Sequence, residues 1–408
     1  MTATIVTIFT LVYLGMILGG LPLLQLDRTG VALLGAIALI GLDAVSLPQA
    51  VAAVHLPTVI LLFSFMVVSA QMRLGGFYGW ATRGMAALPL SPPQLLGLLI
   101  VMAGALSAVF SNDIVCLAMA PVLVQACLQR RLNPVPFLLG LACAANIGSA
   151  ATLIGNPQNI LIGQTLRLSF SGYLLQAIVP VLLGLAACWA IIVWQSRGDW
   201  AGTAPVLPAT EQRSDEPPLD RWQSAKGLAV AAVLLGLFLF SPLPQAQLAL
   251  TGAGLLLMSR KLHSARMLGL VDWEVLVLFA GLFVVNHALQ STGLPAEAVS
   301  WLAAQGVRLS EPWTLFGTTF ALSNLISNVP AVMLLLPVAS HELAGSMLAL
   351  VSTLAGNLLI VGSIANILVV DAAARHGVRI DWRRHARTGV PVTLATLLIC
   401  AAVFALRF

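Results

Sequence analysis

The feature that most limits how this chain can fold is a row of apolar segments, most of them near the roughly 20 residues a helix needs to cross a bilayer. They lie near residues 4–26, 29–43, 57–72, 136–166, 173–195, 227–240, 245–259, 274–290, 346–370 and 388–406. Two further apolar stretches, 93–128 and 312–340, are too long for one span and carry polar residues near their middles. An unpaired backbone group in hydrocarbon costs on the order of several kcal/mol, so helices, whose backbone bonds are internal, suit such segments. Composition agrees. With 59% hydrophobic and 9% charged residues and a mean hydropathy of +0.97 over 408 residues, the chain cannot cover itself with polar surface as a soluble domain does. The expected fold is an all-α polytopic membrane protein.

The opening MTATIVTIFTLVYLGMILGG has no Lys or Arg ahead of its apolar stretch, so it reads as a first span and not as a cleavable signal peptide. Cys116, Cys127, Cys143, Cys188 and Cys400 all fall in apolar segments without CxxC spacing. They suit packing better than a disulfide framework or a zinc site.

In the stretch PQLLGLLIVMAGALSAVF-SND-IVCLAMAPVLVQACL each arm spans about 15 residues, or about 23 Å of helix. That is short of a ~30 Å hydrocarbon core. The pattern predicts a re-entrant hairpin at 93–128, and a second at 312–340. Ten full spans and two hairpins that return to their own side put 17 of the 20 Lys and Arg on one face, leaving Arg167, Arg308 and Arg407 on the other. The basic face is then cytoplasmic in a bacterial-type inner membrane, and both termini lie outside the cytoplasm. This sorting accounts for the net charge of +5 without a nucleic-acid partner. The Pro- and charge-rich segment 196–226 reads as a cytoplasmic linker between a first membrane repeat, 1–195, and a second, 227–408.

The halves repeat. Ser111-Asn112 with Pro121 recurs as Ser327-Asn328 with Pro337, 216 residues later, and TVILLFSFM (58–66) answers EVLVLFAGL (274–282) at the same offset. ALLGA (32–36) answers ALTGA (249–253), and IGNPQNILI (154–162) answers VGSIANILV (361–369) at 207. Each half holds five full spans, an odd number, so the second copy enters from the opposite face as an inverted-topology repeat.

Four polar interruptions are then expected at the midplane, two per half. The hairpin tips are Ser111-Asn112-Asp113 and Ser327-Asn328. The broken helices are 136–166, interrupted by Asn146, Gly148, Thr152, Gly155, Asn156 and Asn159, and 346–370, interrupted by Gly356, Asn357, Gly362, Ser363 and Asn366. Irregular backbone at this depth survives only when buried in protein or lining a cavity. Carbonyl oxygens there suit Na⁺, and amides at the positive end of a half-helix suit an anion. A Na⁺ could be held by Asn112, Asp113, Asn146, Asn328 and Asn366. The residues at the four breaks carry no fixed charge except at Asp113, so the anion would be held by hydrogen bonds without an Arg.

Asp113 is the single charged side chain expected deep in an apolar segment, where a carboxylate is costly and implies a role. It could complete the Na⁺ site, carry a coupling proton, or cap the returning arm of its own hairpin. Asp371 and Arg375 suit a solvated helix end, while His287 and His341-Glu342 fall near outer boundaries. Cys116 and Cys143 flank the expected site, as soft ligands for trivalent arsenic would.

The runs SNDIVCLAMAPVLV, ANIGSAATLIGNPQNILIG, SNLISNVPAVMLLLP and AGNLLIVGSIANILVVDAAARHG resemble the ion transporter superfamily. It includes divalent anion/sodium symporters, arsenite-efflux permeases, sodium/proton antiporters and the melanosomal P protein. In the symporters a Ser-Asn-Thr triplet at each hairpin tip contacts Na⁺ and the substrate carboxylate, and Ser111-Asn112 and Ser327-Asn328 match it. The third position is Asp113 in one half and Val329 in the other. The Asn-Asp pair is similar to the arsenite-efflux permeases, and GNPQN to bacterial anion permeases. The resemblance implies a homodimer that moves its substrate by an elevator motion. The expected function is secondary active transport of a small inorganic, oxyanionic or carboxylate anion coupled to Na⁺ or H⁺, with no resident cofactor. Arsenite or antimonite efflux and sodium/proton antiport are the alternatives. An enzyme is not expected, because converging acid, base and metal ligands are missing from the apolar segments.

Overall fold

The computed structural model describes residues 1–21, 24–201 and 217–407. Residues 202–216 of the expected linker, Arg213 among them, and residues 22–23 of the first apolar segment lie outside the described residues. Among the described residues, seven helices are long and apolar enough to cross a membrane. The other apolar segments form shorter helices or helices broken in the middle.

Thr2–Leu18 stops at Gly19, whose φ of +81° suits a glycine. The chain then forms a two-residue antiparallel pair, Gly20–Leu21 with Leu26–Asp27, a small departure from the all-helical expectation. Asp27 Oδ1 accepts the Gly30 N–H at 2.7 Å and starts helix Arg28–Gly41. Four further helices, Leu47–Ala53, Phe77–Ala86, Ser264–Leu268 and Leu294–Ala304, were not expected. They are 5 to 11 residues long and carry no span-length signal.

The first hairpin has arms Pro92–Val109 and Asn112–Gln129, 18 residues each and longer than expected. Ser91 and Gln94 form a capping box ahead of Pro92-Pro93, which begins the first arm as early as the sequence allows. At about 27 Å each arm could nearly cross. At its ends the hairpin closes on itself: the Arg130 guanidinium, just past the second arm, donates to the carbonyls of Ala86, Leu88 and Leu90, just before the first. The start of the first arm and the end of the second therefore lie at one level. In the second hairpin, Pro312–Ile326 is followed by the shorter Asn328–Leu335 and a 3-10 turn, Leu336–Val338.

Both broken helices form as the sequence implies. Pro134–Ser149 and Pro157–Thr165 flank irregular backbone at 150–156, and Ala344–Ala355 and Ile364–Arg375 flank 356–363. Gly148 allows the first to touch the hairpin, since a Cβ there would lie 2.3 Å from the Gly104 Cα.

The halves pack reciprocally. Arg28–Gly41 lies on Trp273–Ser291, and Leu56–Leu74 lies on Gln245–Leu257. Asn112–Gln129 lies on Ile364–Arg375, and Asn328–Leu335 on Pro157–Thr165. Phe170–Gln195 packs along Trp382–Ala405. Eight of the nine tryptophans are exposed, as in the aromatic belts of membrane proteins. Outside the spans, Asp220 opens helix Arg221–Phe240, and the Gln223 N–H holds its carboxyl below the ordinary carboxylate range, helped by Lys261. Asp371 and Arg375 form an exposed i,i+4 pair at 2.7 Å, the solvated helix end expected of them.

Candidate functional site

Each half-helix that follows a break, and each returning hairpin arm, starts at the same place. A cavity of about 80 Å³ is lined by Asn112 and Asp113, by Pro157 and Gln158, by Asn328, Val329 and Pro330, and by Ser363 and Ile364. These are the first residues, or the N-cap, of helices Asn112–Gln129, Pro157–Thr165, Asn328–Leu335 and Ile364–Arg375. Four positive helix ends, each worth roughly half a charge, thus surround one small volume. Ser327 and Gly362 complete the wall from the tips and breaks.

Ser327 reaches this wall with φ +77° and ψ +159°, a conformation that a non-glycine residue adopts only under strain. Its counterpart Ser111 has an ordinary φ of −54° and ψ of +131°.

Two charged side chains face the cavity. Asp113, half-buried, lines the cavity from the first turn of its arm, near the backbone N–H of Ala365 in the first turn of the opposing half-helix. Arg28 lines the cavity as well, and its Nε is buried without a hydrogen-bond partner among the described residues. Sequence reasoning had not placed an Arg at this wall. At the start of an apolar helix Arg28 reads as an ordinary interfacial cation; only the fold turns it inward.

The remaining site residues lie behind the wall. Asn146 Oδ1 accepts from Asn112 Nδ2 and from Ser363 Oγ, both at 2.9 Å, and its Nδ2 donates to Asn357 Oδ1 at 2.8 Å and Asn366 Oδ1 at 3.2 Å. Asn366 Nδ2 donates to the carbonyls of Gly356 and Leu359. In the other half, Asn156 Nδ2 donates to Ser149 Oγ and Thr353 Oγ1, and Asn156 Oδ1 caps the helix by accepting Asn159 N–H. Asn159 Nδ2 donates to the Thr152 carbonyl at 2.9 Å, and Thr152 Oγ1 donates to Ala108 O in the hairpin. Gly155 O accepts the Asn112 N–H, and a Cβ on Gly155 would lie 2.2 Å from Ser149 O. These groups position the wall and satisfy the backbone freed by the breaks.

Sequence reasoning missed Gln158 and Thr353, which join this network, and Tyr173 and His385, which bond the carbonyls of Ala150 and Asn357 at the two breaks. Gln158 lies inside the GNPQN run, whose asparagines drew the attention, and Thr353, Tyr173 and His385 belong to no recurring motif. Among the described residues, two amide oxygens in the cavity wall find no donor, Asn112 Oδ1 and Asn328 Oδ1. Cys116 and Cys143 are buried and line neither this cavity nor its vestibule.

A vestibule of about 680 Å³ leads from Asp113 and Arg28 to the face that carries Arg73 and Asp272. A smaller cavity of about 290 Å³ lies elsewhere between Leu161, Met333 and Pro337 on one wall and His55, Asn286 and His287 on the other.

Comparison with known proteins fixes the class of molecule. The citrate transporter family model, CitMHS, matches residues 11–355. The chain belongs to the CitMHS citrate transporter family. It is a transporter and not an enzyme. A 46 kDa membrane protein of Mycobacterium leprae is 30% identical over 373 residues, covering 86% of each chain. The silicon efflux transporter LSI3 of Oryza sativa subsp. japonica is 27% identical over 449 residues, covering 93% of this chain and 92% of the relative. The crystal structure of the Alcanivorax borkumensis YdaH transporter shares the fold, with a TM-score of 0.63 at 15% identity over 99% of this chain and 97% of that one.

Proposed function

We propose that this chain is a secondary active carrier of a small anion, coupled to Na⁺ or H⁺, in a bacterial plasma membrane. The observation that carries the reading is the convergence of four helix N-termini and the Arg28 guanidinium on one cavity. Positive helix ends stabilise an anion and release it without a covalent step. The cavity, at about 80 Å³, is small and suits a compact solute. An oxyanion fits this better than a tricarboxylate.

The donor-free oxygens of Asn112 and Asn328, with the Asp113 carboxylate, are the groups we assign to the coupling cation. They are hard oxygen ligands, the kind a Na⁺ takes, while Asn146 and Asn366 stand behind them and orient the wall. Protonation of Asp113 would serve the same purpose with H⁺.

In this reading residues 1–195 and 227–408 are inverted repeats, the vestibule faces the cytoplasm, both termini face outward, and two copies form a homodimer whose hairpins and broken helices move as an elevator. The reciprocal packing of the halves and the basic face support it. A second reading, efflux of an undissociated hydroxylated acid, draws on the likeness to the rice silicon efflux transporter and on the same small cavity.

A thermal-shift screen of purified protein against sulfate, phosphate, citrate, arsenite and silicate, with and without Na⁺, tests both readings. A Na⁺-dependent rise with an oxyanion supports the first; a rise with silicate or arsenite alone supports the second. Uphill uptake into proteoliposomes driven by an imposed ion gradient separates a carrier from a channel.

A further inference from the structure

A second charged cavity, of about 330 Å³, lies away from the transport site. It opens between the end of helix Phe170–Gln195, the start of helix Trp382–Ala405 and the start of helix Pro134–Ser149. Arg383, Arg384 and Arg387 line it, with Asp199 and Asp381. Both carboxylates are already engaged: Asp381 caps its helix by accepting the Arg384 N–H at 2.7 Å, and Asp199 accepts from Asn133 Nδ2 at 3.1 Å. Arg384 stands 3.9 Å from Asp199, and Arg383 lies over the Trp382 ring. Arg387 has no ion pair among the described residues. The five charges leave one positive charge unbalanced, next to a helix N-terminus that adds to it. The cavity also carries polar groups: Thr388 is buried and donates to Gln195 Oε1 at 2.7 Å, and Gln195 Nε2 donates to the Arg387 carbonyl.

Below Arg387 the same helix face continues at Pro391, Leu394 and Leu398, at spacings of three and four residues. Leu394 and Leu398 are exposed, 51% and 70%, where a membrane helix meets acyl chains. Trp194 and Trp382, both exposed, lie near the adjoining ends of the two helices, as aromatic side chains do in the headgroup region. A basic cavity between helix ends with an apolar track beneath it is a shape fitted to a charged head joined to a chain.

We propose that this cavity binds the phosphate of an anionic phospholipid headgroup, with an acyl chain along Leu394 and Leu398. One phosphodiester charge matches the one unbalanced positive charge, and guanidinium forks suit phosphate oxygens. The bound lipid braces the broken helix Pro134–Ser149, which carries Asn146, against the two spans beside it.

The test uses delipidated full-length protein in detergent. Dioleoyl phosphatidylglycerol is expected to raise the melting temperature at micromolar concentration and to be retained in native mass spectrometry, while phosphatidylcholine with the same chains does neither. Arg387→Gln should weaken retention at least about tenfold, and Arg387→Lys should restore part of it. The triple variant Arg383→Gln, Arg384→Gln, Arg387→Gln should lose it, and the single variants stand alone if the triple one does not fold. Equal retention in Arg387→Gln and the parent overturns the proposal. An equal shift with inorganic phosphate overturns the lipid assignment, leaving a site for a free anion.

Discussion

Asn159 and Asn366 do the same work at two breaks 207 residues apart in sequence. Asn159 Nδ2 reaches the carbonyls of Ser149 and Thr152, and Asn366 Nδ2 reaches those of Gly356 and Leu359, at the same offset. The relation extends across the halves. Asn146 bonds Ser363 and Asn366; its counterpart Thr353 bonds Asn156 and Asn159. Each half thus supplies side chains that hold the other half's broken helix. The match fails where charge matters: at the offset of 216, Asp113 faces Val329.

That divergence gives the first prediction. Asp113→Asn keeps the shape and removes the charge, so expression and melting temperature should stay near those of the parent. Gradient-driven uptake in proteoliposomes should fall by at least about tenfold. Full-rate transport with unaltered ion dependence would remove Asp113 from coupling.

Asn146 and Asn328 should separate stability from binding. Asn146→Ala strands the groups it now bonds, at about 1 to 3 kcal/mol for each that stays buried and unpaired, and should lower the melting temperature markedly. Asn328 Oδ1 has no partner to strand. Its Ala variant should melt close to the parent while losing Na⁺ or substrate affinity in isothermal titration. The reverse pattern would mean that Asn328 is the structural residue.

The paired broken helices were legible in the sequence because Gly, Pro and Asn inside an apolar run have few other uses, and because they recur at one offset. Arg28, Thr353 and Tyr173 were not. Arg28 is ordinary for the end of a span, and Thr353 and Tyr173 are isolated side chains whose partners lie 197 and 23 residues away. Periodicity carries no information about such pairs. The surface helices escaped for a different reason: helix Leu294–Ala304, with no buried residue, has neither the length of a span nor the stripe of a core helix.

Arg28→Gln should weaken anion binding by about tenfold or more, since a hydrogen bond to a charged group contributes roughly 1.5 to 3 kcal/mol. Titration of the anion selected by the thermal-shift screen checks this. Unchanged affinity would return Arg28 to the role of an interfacial cation.

The two tips differ in backbone and should respond oppositely to glycine. Ser327, at φ +77°, holds a conformation that costs roughly 1 to 3 kcal/mol for a non-glycine residue. Ser327→Gly should therefore stabilise the protein by about 1 kcal/mol. Ser111→Gly, where φ is already −54°, should destabilise it by a similar amount through the unfolded chain's added freedom. Thermal unfolding in one detergent compares them directly, and destabilisation by both would show that Ser327 is held by its side chain.

The vestibule and the smaller cavity bounded by His55 and His287 stand in the same relation as the halves. Leu117, Leu368, Ala70 and Val271 line the first, and their counterparts Met333, Leu161, Asn286 and His55 line the second. Leu117 is partly exposed and Met333 is buried. With the five cysteines replaced, Leu117→Cys should react with an impermeant thiol reagent from the cytoplasmic side, and Met333→Cys, more slowly, from outside. Adding the transported anion with its coupling ion should move the two rates in opposite directions, as alternating access requires. Labelling of both from one face would refute the inverted repeat, and rates that rise or fall together would refute alternating access by exchange of these cavities.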